Sequence, residues 1–408
     1  MAAPTKYASL TTLQDVLREV LLPEVREQLP DHVLFLNFFK RTSKTVRRVG
    51  QDFKALMSVR TAHNQGFGMR AAGGALPGHG APAYDEIEVT LKRMYGRGAI
   101  DRAVLSPALQ GGVSNVGRVL DEEMASIQRT AQIELSRMLQ GDGNGVLTQV
   151  NETDGTGDTF NVDDARYLEK GMILDSWTAK TAGTQHFNGV EISDVDYEND
   201  EIVLTASASY YNNDYLYRED NRGLECAGGL QAVVDDGSVV ATFQGVSRAA
   251  TSYFNGNLVD AGGDALELND LYVAADKGRK RAGKSANFIG SDLDSQRYYS
   301  LLLESQRRQV NTTELKSGWT GLSFAHGGRN VSWFADEFFT PGYIYFLDTD
   351  AFAIFEAGPM DFVDNDGSIL RNVSGYDIFE FYLAYYFDVG VDRCNSQTRL
   401  YNFTEPGA

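Results

Sequence analysis

Cysteine is nearly missing from this 408-residue chain. Cys226 and Cys394 stand far apart, without CxxC or Cys/His spacing, which excludes a disulfide framework and a thiolate zinc site. Two buried free thiols are the expectation. Long apolar runs are missing as well: no stretch of about 18 apolar residues occurs, so no transmembrane helix is expected. The opening MAAPTKYASL also lacks the apolar core of a secretory signal, and a cytosolic origin is expected. Basic charge is scarce, with 37 Lys and Arg against 56 Asp and Glu and a net charge of −19. That balance argues against an autonomous reader of DNA sequence, which needs a basic footprint to displace counterions from phosphates.

The histidines are five, His32, His63, His79, His186 and His326, scattered with no HExxH or HxH spacing, so metal-assisted hydrolysis has no candidate site. No GxSxG elbow occurs, and neither cysteine sits in a recognisable nucleophile setting. The glycines of 63–83 are followed by no GK[ST], and NETDGTGD lacks the register and closing Glu of a calcium loop. Acidic pairs such as Asp348 and Asp350, or Asp364 and Asp366, flank turns, and nothing in their spacing defines a glycosidase cleft. No catalytic, cofactor-binding or metal-ligating residue is therefore assigned.

What is present is enough to fold. Hydrophobic residues make up 42% and aromatics 11%, which excludes disorder over most of the chain. The length suggests two or three packed units at roughly 150 residues each. Charge is uneven: residues 1–70 carry 11 basic and 6 acidic groups, whereas 151–220 carry 4 and 16. The acidic block reads as a separate, solvated unit.

Residues 11–28 place Leu13, Val16, Leu17, Val20 and Leu21 at helical spacing, with Pro23 as a break. The following VLFLNFFK offers Phe35, Phe38 and Phe39 in a stretch too short for its own core, so a neighbour is expected to bury them. QDFKALMSVR and DEIEVTLKRMYGRGAI read as two strands of one long hairpin around a glycine-rich tip. The most regular pattern is NVGRVLDEEMASIQRTAQIELSRMLQG, where Val116, Leu120, Met124, Ile127, Ala131, Leu135 and Met138 form one apolar stripe. Ser114 or Asn115 is the expected N-cap, and about 25 residues at about 1.5 Å each span about 38 Å.

Residues 141–159 read as a polar linker, and TFNV, GMILDSW, FNGVEISDVDY, DEIVLTA and DYLYRE as the short strands of an all-β insert over about 151–219. Beyond it, ALELNDLYVAADKGRKRAG and DLDSQRYYSLLLESQRRQ read as helices and SANFIGS as a buried strand. LSFAHGGRNVSWF reads as a hairpin, PGYIYFLDTDAFAIFEAG as two apolar strands around a turn, and YDIFEFYLAYYFDVGVDRCNSQTRLYNF as a long strand run. The basic cluster Lys277, Arg279, Lys280, Arg281 and Lys284 reads as the solvated end of a helix, where cations favour the C-terminal dipole. The fold class is α+β.

This order of parts resembles the major capsid protein of tailed bacteriophages, the shell fold named after the Hong Kong ninety-seven phage. The most specific pieces are YDEIEVTLKRMYGRGAIDRAVL leading into DEEMASIQRTAQIELSRMLQGDGNG, and TPGYIYFLD followed by GYDIFEFYLAYYFDVGVDR. The resemblance implies an N-terminal arm at 1–45, an extended β-hairpin loop at 46–103, a peripheral domain with its long spine helix at 104–150 and an all-β insertion domain at 151–219. It further implies an axial domain at 220–360, then a return to the peripheral domain and a terminal axial strand at 361–408.

It implies a shell of hexamers and pentamers enclosing double-stranded DNA in a virion, assembled in the host bacterial cytoplasm, without enzymatic activity, cofactor or membrane. A separate scaffolding protein and a portal are the implied partners, joined in some members by decoration proteins. The packaged DNA is a non-specific neighbour. Phe35, Phe38 and Phe39 would anchor the arm, Arg70 and the tip glycines would touch the next capsomer, and Lys92 with Arg93 would pair with Glu122 and Glu123 of a neighbour's spine helix. Some members cross-link a loop lysine to a neighbour's asparagine. Lys54 and Lys92 lie in the matching loop, but no acceptor is placed, so that chemistry is not carried over. An encapsulin-like compartment shell and a carbohydrate-active enzyme or binding protein are the alternative readings, the latter resting on the acidic residues, the aromatics and the β insert.

Overall fold

The computed structural model describes residues 40–42, 46–49, 52–102, 114–305, 312–314, 320–364 and 369–404. Phe35, Phe38 and Phe39, the helical pattern of 11–28 and the residue preceding the spine helix lie outside them. The fold is α+β.

The spine helix Ser114–Met138 begins at the first expected cap residue and runs for 25 residues. Along its stripe Ala131 and Leu135 are buried and Ile127 is half-buried. The face lies on the strand Lys92–Asp101, and two glycines set how closely. A Cβ on Gly96 would stand 2.8 Å from Ile127 Cγ2, and one on Gly98 would stand 2.5 Å from Phe381 Cζ and 2.7 Å from Ile127 Cδ1. Glycine here lets helix and strand approach.

That strand pairs along its whole length with Ile378–Val391, from Ile378 opposite Asp101 to Phe387 opposite Lys92. The far edge of Ile378–Val391 pairs with Phe352–Glu356, which in turn pairs with Lys40–Thr42. Its inward residues Phe381, Leu383, Tyr385, Phe387, Val389 and Val391 alternate into the core, as a strand with period 2 must.

One expectation changes here, and two further segments divide between sheets. DEIEVTLKRMYGRGAI is two strands rather than one: Ala83–Thr90 pairs with Asp52–Ala62, while Lys92–Asp101 leaves for the sheet of Ile378–Val391. Leu91, buried between them and bonded through its N–H to Phe53 O at 2.9 Å, marks the change of sheet. The two strands of PGYIYFLDTDAFAIFEAG do not pair with each other. A 3-10 turn at Thr349–Ala351 sends Tyr343–Leu347 and Phe352–Glu356 into different sheets, because each finds a longer-range partner. The final aromatic run divides in the same way, Thr398–Tyr401 joining the sheet of Tyr343–Leu347.

That second sheet runs in the order Asn257–Asp260, Thr398–Tyr401, Tyr343–Leu347, Phe288–Ser291, Arg329–Ala335, Thr320–His326, Thr312–Glu314. The helix Leu268–Ala282 packs on its first strands and the helix Leu293–Ser305 on Arg329–Ala335. Trp333 is fully buried at its centre, with Tyr299 stacked at 4.5 Å and its indole N–H donating to Ser291 Oγ at 2.8 Å.

Residues 141–159 are not a linker. Val146–Gln149 and Gly155–Asn161 are strands, with Leu147 and Val150 buried. They are held by partners distant in sequence, Tyr215–Arg218 and Glu201–Tyr210, which local composition does not reveal. The sheet order is Val146–Gln149, Tyr215–Arg218, Ile173–Trp177, Gln185–Asp196, Glu201–Tyr210, Gly155–Asn161, antiparallel throughout. A bridge between Val150 and Val162 joins the two edges, so the insert closes into a small barrel. Phe160, Leu174, Ile192, Ile202, Leu204 and Leu216 fill it.

Candidate functional site

The two buried thiols and the Ser176, His186 and Asp214 cluster are sequestered or unsuitably arranged for nucleophilic chemistry. Cys226 is buried and donates to Asp388 Oδ1 at 3.0 Å, and burial first, then the Asp388 carboxylate, pushes its pKa well up. Burial also pushes the Cys394 thiol to about 12, so neither is a ready thiolate. In the barrel, Ser176 Oγ and His186 Nδ1 both meet Asp214 Oδ2, at 3.0 and 2.5 Å. The shared carboxylate stands between hydroxyl and imidazole, so this is not the arrangement in which a histidine takes the proton of a serine. Among the described residues no group of three or more His, Cys, Asp and Glu side chains could hold a metal ion. Among them, too, no helix is long and apolar enough to cross a membrane.

Among the described residues, extended surfaces stand out. The hairpin strands Asp52–Ala62 and Ala83–Thr90, joined at their base by the short strand Val46–Val49, are anchored over their base and middle while their loop stays exposed. Over the anchored part Ala55, Ile87, Val89 and Leu91 are buried in the core shared with Phe355 and Val389, and Tyr253 donates to Asp85. Lys54 and Glu88 pair across the strands at 2.5 Å, which holds the Glu88 carboxyl below its ordinary value. At about 3.4 Å per residue the 11-residue strand reaches about 37 Å.

Its far end carries Phe67, Met69 and Leu76, exposed by 91, 91 and 87%. A side chain of that size left bare is ordinary when single, but three on one loop call for a covering partner. Arg70 ties this tip together, donating through Nε to Ala75 O at 3.0 Å and through Nη1 to Met69 O at 2.9 Å.

A groove of about 430 Å³ opens where the strand Lys92–Asp101, the spine helix and the barrel's last turn meet; Met94, Ile127, Ala131 and Met138 give it an apolar floor. Below it Arg137, 7% exposed, bridges Glu225 and Glu134. Arg218 reaches Glu134 from the barrel at 2.6 Å, and Asn221 donates to Glu225 at 2.7 Å. Burial alone would raise the Glu134 pKa, but Arg137 and Arg218 more than reverse it. This network ties the barrel to the helix.

Of the residues assigned from sequence, Lys92 and Arg93 line this groove and Arg70 sits at the hairpin tip, whereas Glu122 and Glu123 of the spine helix are not part of the lining. Within one chain Lys92 donates to Gly223 O at 3.3 Å, Arg93 pairs with Asp52 at 3.3 Å, and Glu122 meets Arg129 at 3.6 Å. Glu123 is half-buried, and burial, with Glu122 beside it, raises its carboxyl. Sequence reading named Arg70 and the tip glycines but passed over Phe67, Met69 and Leu76, whose signal was apolar residues interleaved with glycine in a segment of no period. It also missed Arg137, whose signal was a charge beside the apolar stripe.

No protein-family model matches the sequence, and no curated protein matches it. Solved structures do match. The capsid of cyanophage A-1(L) is 12% identical, with 94% of this chain and 96% of that chain covered and a TM-score of 0.56. The capsid of a native GTA particle is 11% identical over 94% and 96%, with a TM-score of 0.49. An encapsulin complex from Synechococcus elongatus is 10% identical over 100% and 98%, with a TM-score of 0.46. The cyanophage match shows that this chain has the α+β fold of a tailed-phage major capsid protein.

Proposed function

We propose that this chain is the major shell subunit of a tailed phage, assembling as hexamers and pentamers into an icosahedral head around double-stranded DNA. The observation that carries the reading is the hairpin: a ribbon about 37 Å long with Phe67, Met69 and Leu76 bare at its end. The short strand Val46–Val49 pairs only with the base of the hairpin, and the two-stranded remainder with its uncovered apolar tip is marginal by itself and becomes stable when another copy covers it.

In this reading 1–45 is the arm anchored by Phe35, Phe38 and Phe39, 46–103 the extended loop with Arg70 at its tip, and 104–150 the peripheral domain. The insertion domain of 151–219, whose barrel also takes in Val146–Gln149, faces outward, 220–360 is the axial domain and 361–408 returns to both. Lys92 and Arg93 then lie where acids such as Glu122 and Glu123 of the next copy can meet them. The role calls for no catalytic centre. A separate scaffolding protein, a portal and decoration proteins are its proposed partners, with assembly in the host cytoplasm. The net charge of −19 suits a wall that lets a packaged duplex move, since few phosphate contacts hold it.

Negative-stain imaging of the heaviest fraction of purified protein tests the proposal. Polyhedral particles or five- and six-membered rings support it. A uniform field of single small particles at high concentration, with no assembly when a scaffolding protein is supplied, overturns it.

A further inference from the structure

The five cations at the end of the helix Leu268–Ala282 separate in the structure. Lys277 donates to Leu258 O, Arg281 to Ser252 O and at 3.2 Å to Asn257 Oδ1, and Lys280 pairs with Asp276 at 3.3 Å. Arg279 and Lys284 instead line a cavity of about 310 Å³, and Arg329, from a strand that begins some fifty residues later, lines it with them. Among the described residues no side chain of these three has a hydrogen-bond or ion-pair partner within the chain. Gly327 turns the adjoining loop with φ at +58°, a conformation that favours glycine, and the missing side chain leaves room for the Arg279 guanidinium.

Three cations set against the carboxylates of Asp348 and Asp350 leave the wall of this polar cavity with one positive charge in excess, which a small anion can balance. Two guanidinium groups and an ammonium can supply charge-assisted donors, which suits an oxyanion. The volume lies at the small end of the ligand-pocket range of about 300–1,000 Å³. Asp348 and Asp350 form part of the same wall, the first buried and the second exposed. An extended polyanion would press further phosphates onto Asp350, whereas a single oxyanion need only meet the three cations.

We propose that this cavity binds one small free oxyanion of the phosphate class through Arg279, Lys284 and Arg329. The proposal does not rest on the shell reading, since it concerns a cavity within one chain.

Calorimetric titration of the full-length protein with sodium phosphate, at constant low ionic strength held with chloride, tests it. Saturable binding is expected. Arg279→Ala, Lys284→Ala and Arg329→Ala should each weaken it about tenfold, the scale of one lost charge-assisted bond. Asp350→Asn should tighten it. All three cations are exposed, so circular dichroism and melting should not change; should an alanine variant fail to fold, the gain in Asp350→Asn remains readable. The absence of saturable binding overturns the proposal, as does binding that all three alanine substitutions leave unchanged. A single-stranded oligonucleotide that binds more tightly than phosphate and loses that binding in the same variants overturns the assignment to a free anion.

Discussion

Gly96→Ala tests how the spine helix is seated on its strand. The added Cβ would lie 2.8 Å from Ile127 Cγ2, while its next neighbour, Leu383 Cβ, is 3.6 Å away. One methyl group is thus responsible for the collision. Overpacking of this kind costs about 1–3 kcal/mol, and alanine returns about 0.4–1 kcal/mol by restricting the unfolded chain. A net loss of about 1–2 kcal/mol follows. In an Ile127→Ala background the colliding methyl is gone, so Gly96→Ala should be neutral or stabilising by up to about 1 kcal/mol. The coupling between the two sites is then about 2 kcal/mol and favours the double variant over the sum of the singles. Urea unfolding of the full chain, followed by far-UV circular dichroism for the four proteins of the cycle, measures it. An equal loss from Gly96→Ala in both backgrounds would refute the idea that Ile127 requires the glycine.

Arg137→Met should cost about 3–5 kcal/mol in the same assay, because it leaves buried Glu225 and Glu134 without their shared cation; a loss under 1 kcal/mol would show the network to be dispensable. Asp388 is held by burial at a pKa of about 6, above its ordinary 3.8, so its neutral form favours the folded state and its contribution to stability falls as pH rises from about 4 to about 6. Asp388→Asn should flatten that part of the pH–stability curve, and an unaltered curve would contradict the assignment. Replacing Phe67, Met69 and Leu76 together by Ser should leave the melting temperature of the dispersed chain unchanged and sharply lower particle yield, as read by sedimentation. Unchanged yield would remove the tip from assembly.

The spine helix was legible because its stripe from Val116 to Met138 repeats within a single element, and the glycines of 63–83 announced the hairpin tip for the same local reason. What sequence did not reveal was pairing over distance. The split at Leu91 depends on Ile378–Val391, nearly three hundred residues later. Val146–Gln149 becomes a strand only because Tyr215–Arg218 lies beside it, and the barrel closes through Val150 and Val162. The same limit hid the polar clusters: Arg137 meets Glu225 across 88 residues, and Arg329 joins Arg279 only through folding. Arg70, Lys92 and Arg93 were readable as exposed hairpin charges. Their bonds to Ala75, Gly223 and Asp52 within the chain were not.

The shell reading stands or falls on the mass of the native protein. Sedimentation of the purified full chain, with and without a scaffolding protein, should yield species of five or six subunits of 44.9 kDa or closed particles far larger. A stable monomer or dimer under both conditions would contradict it.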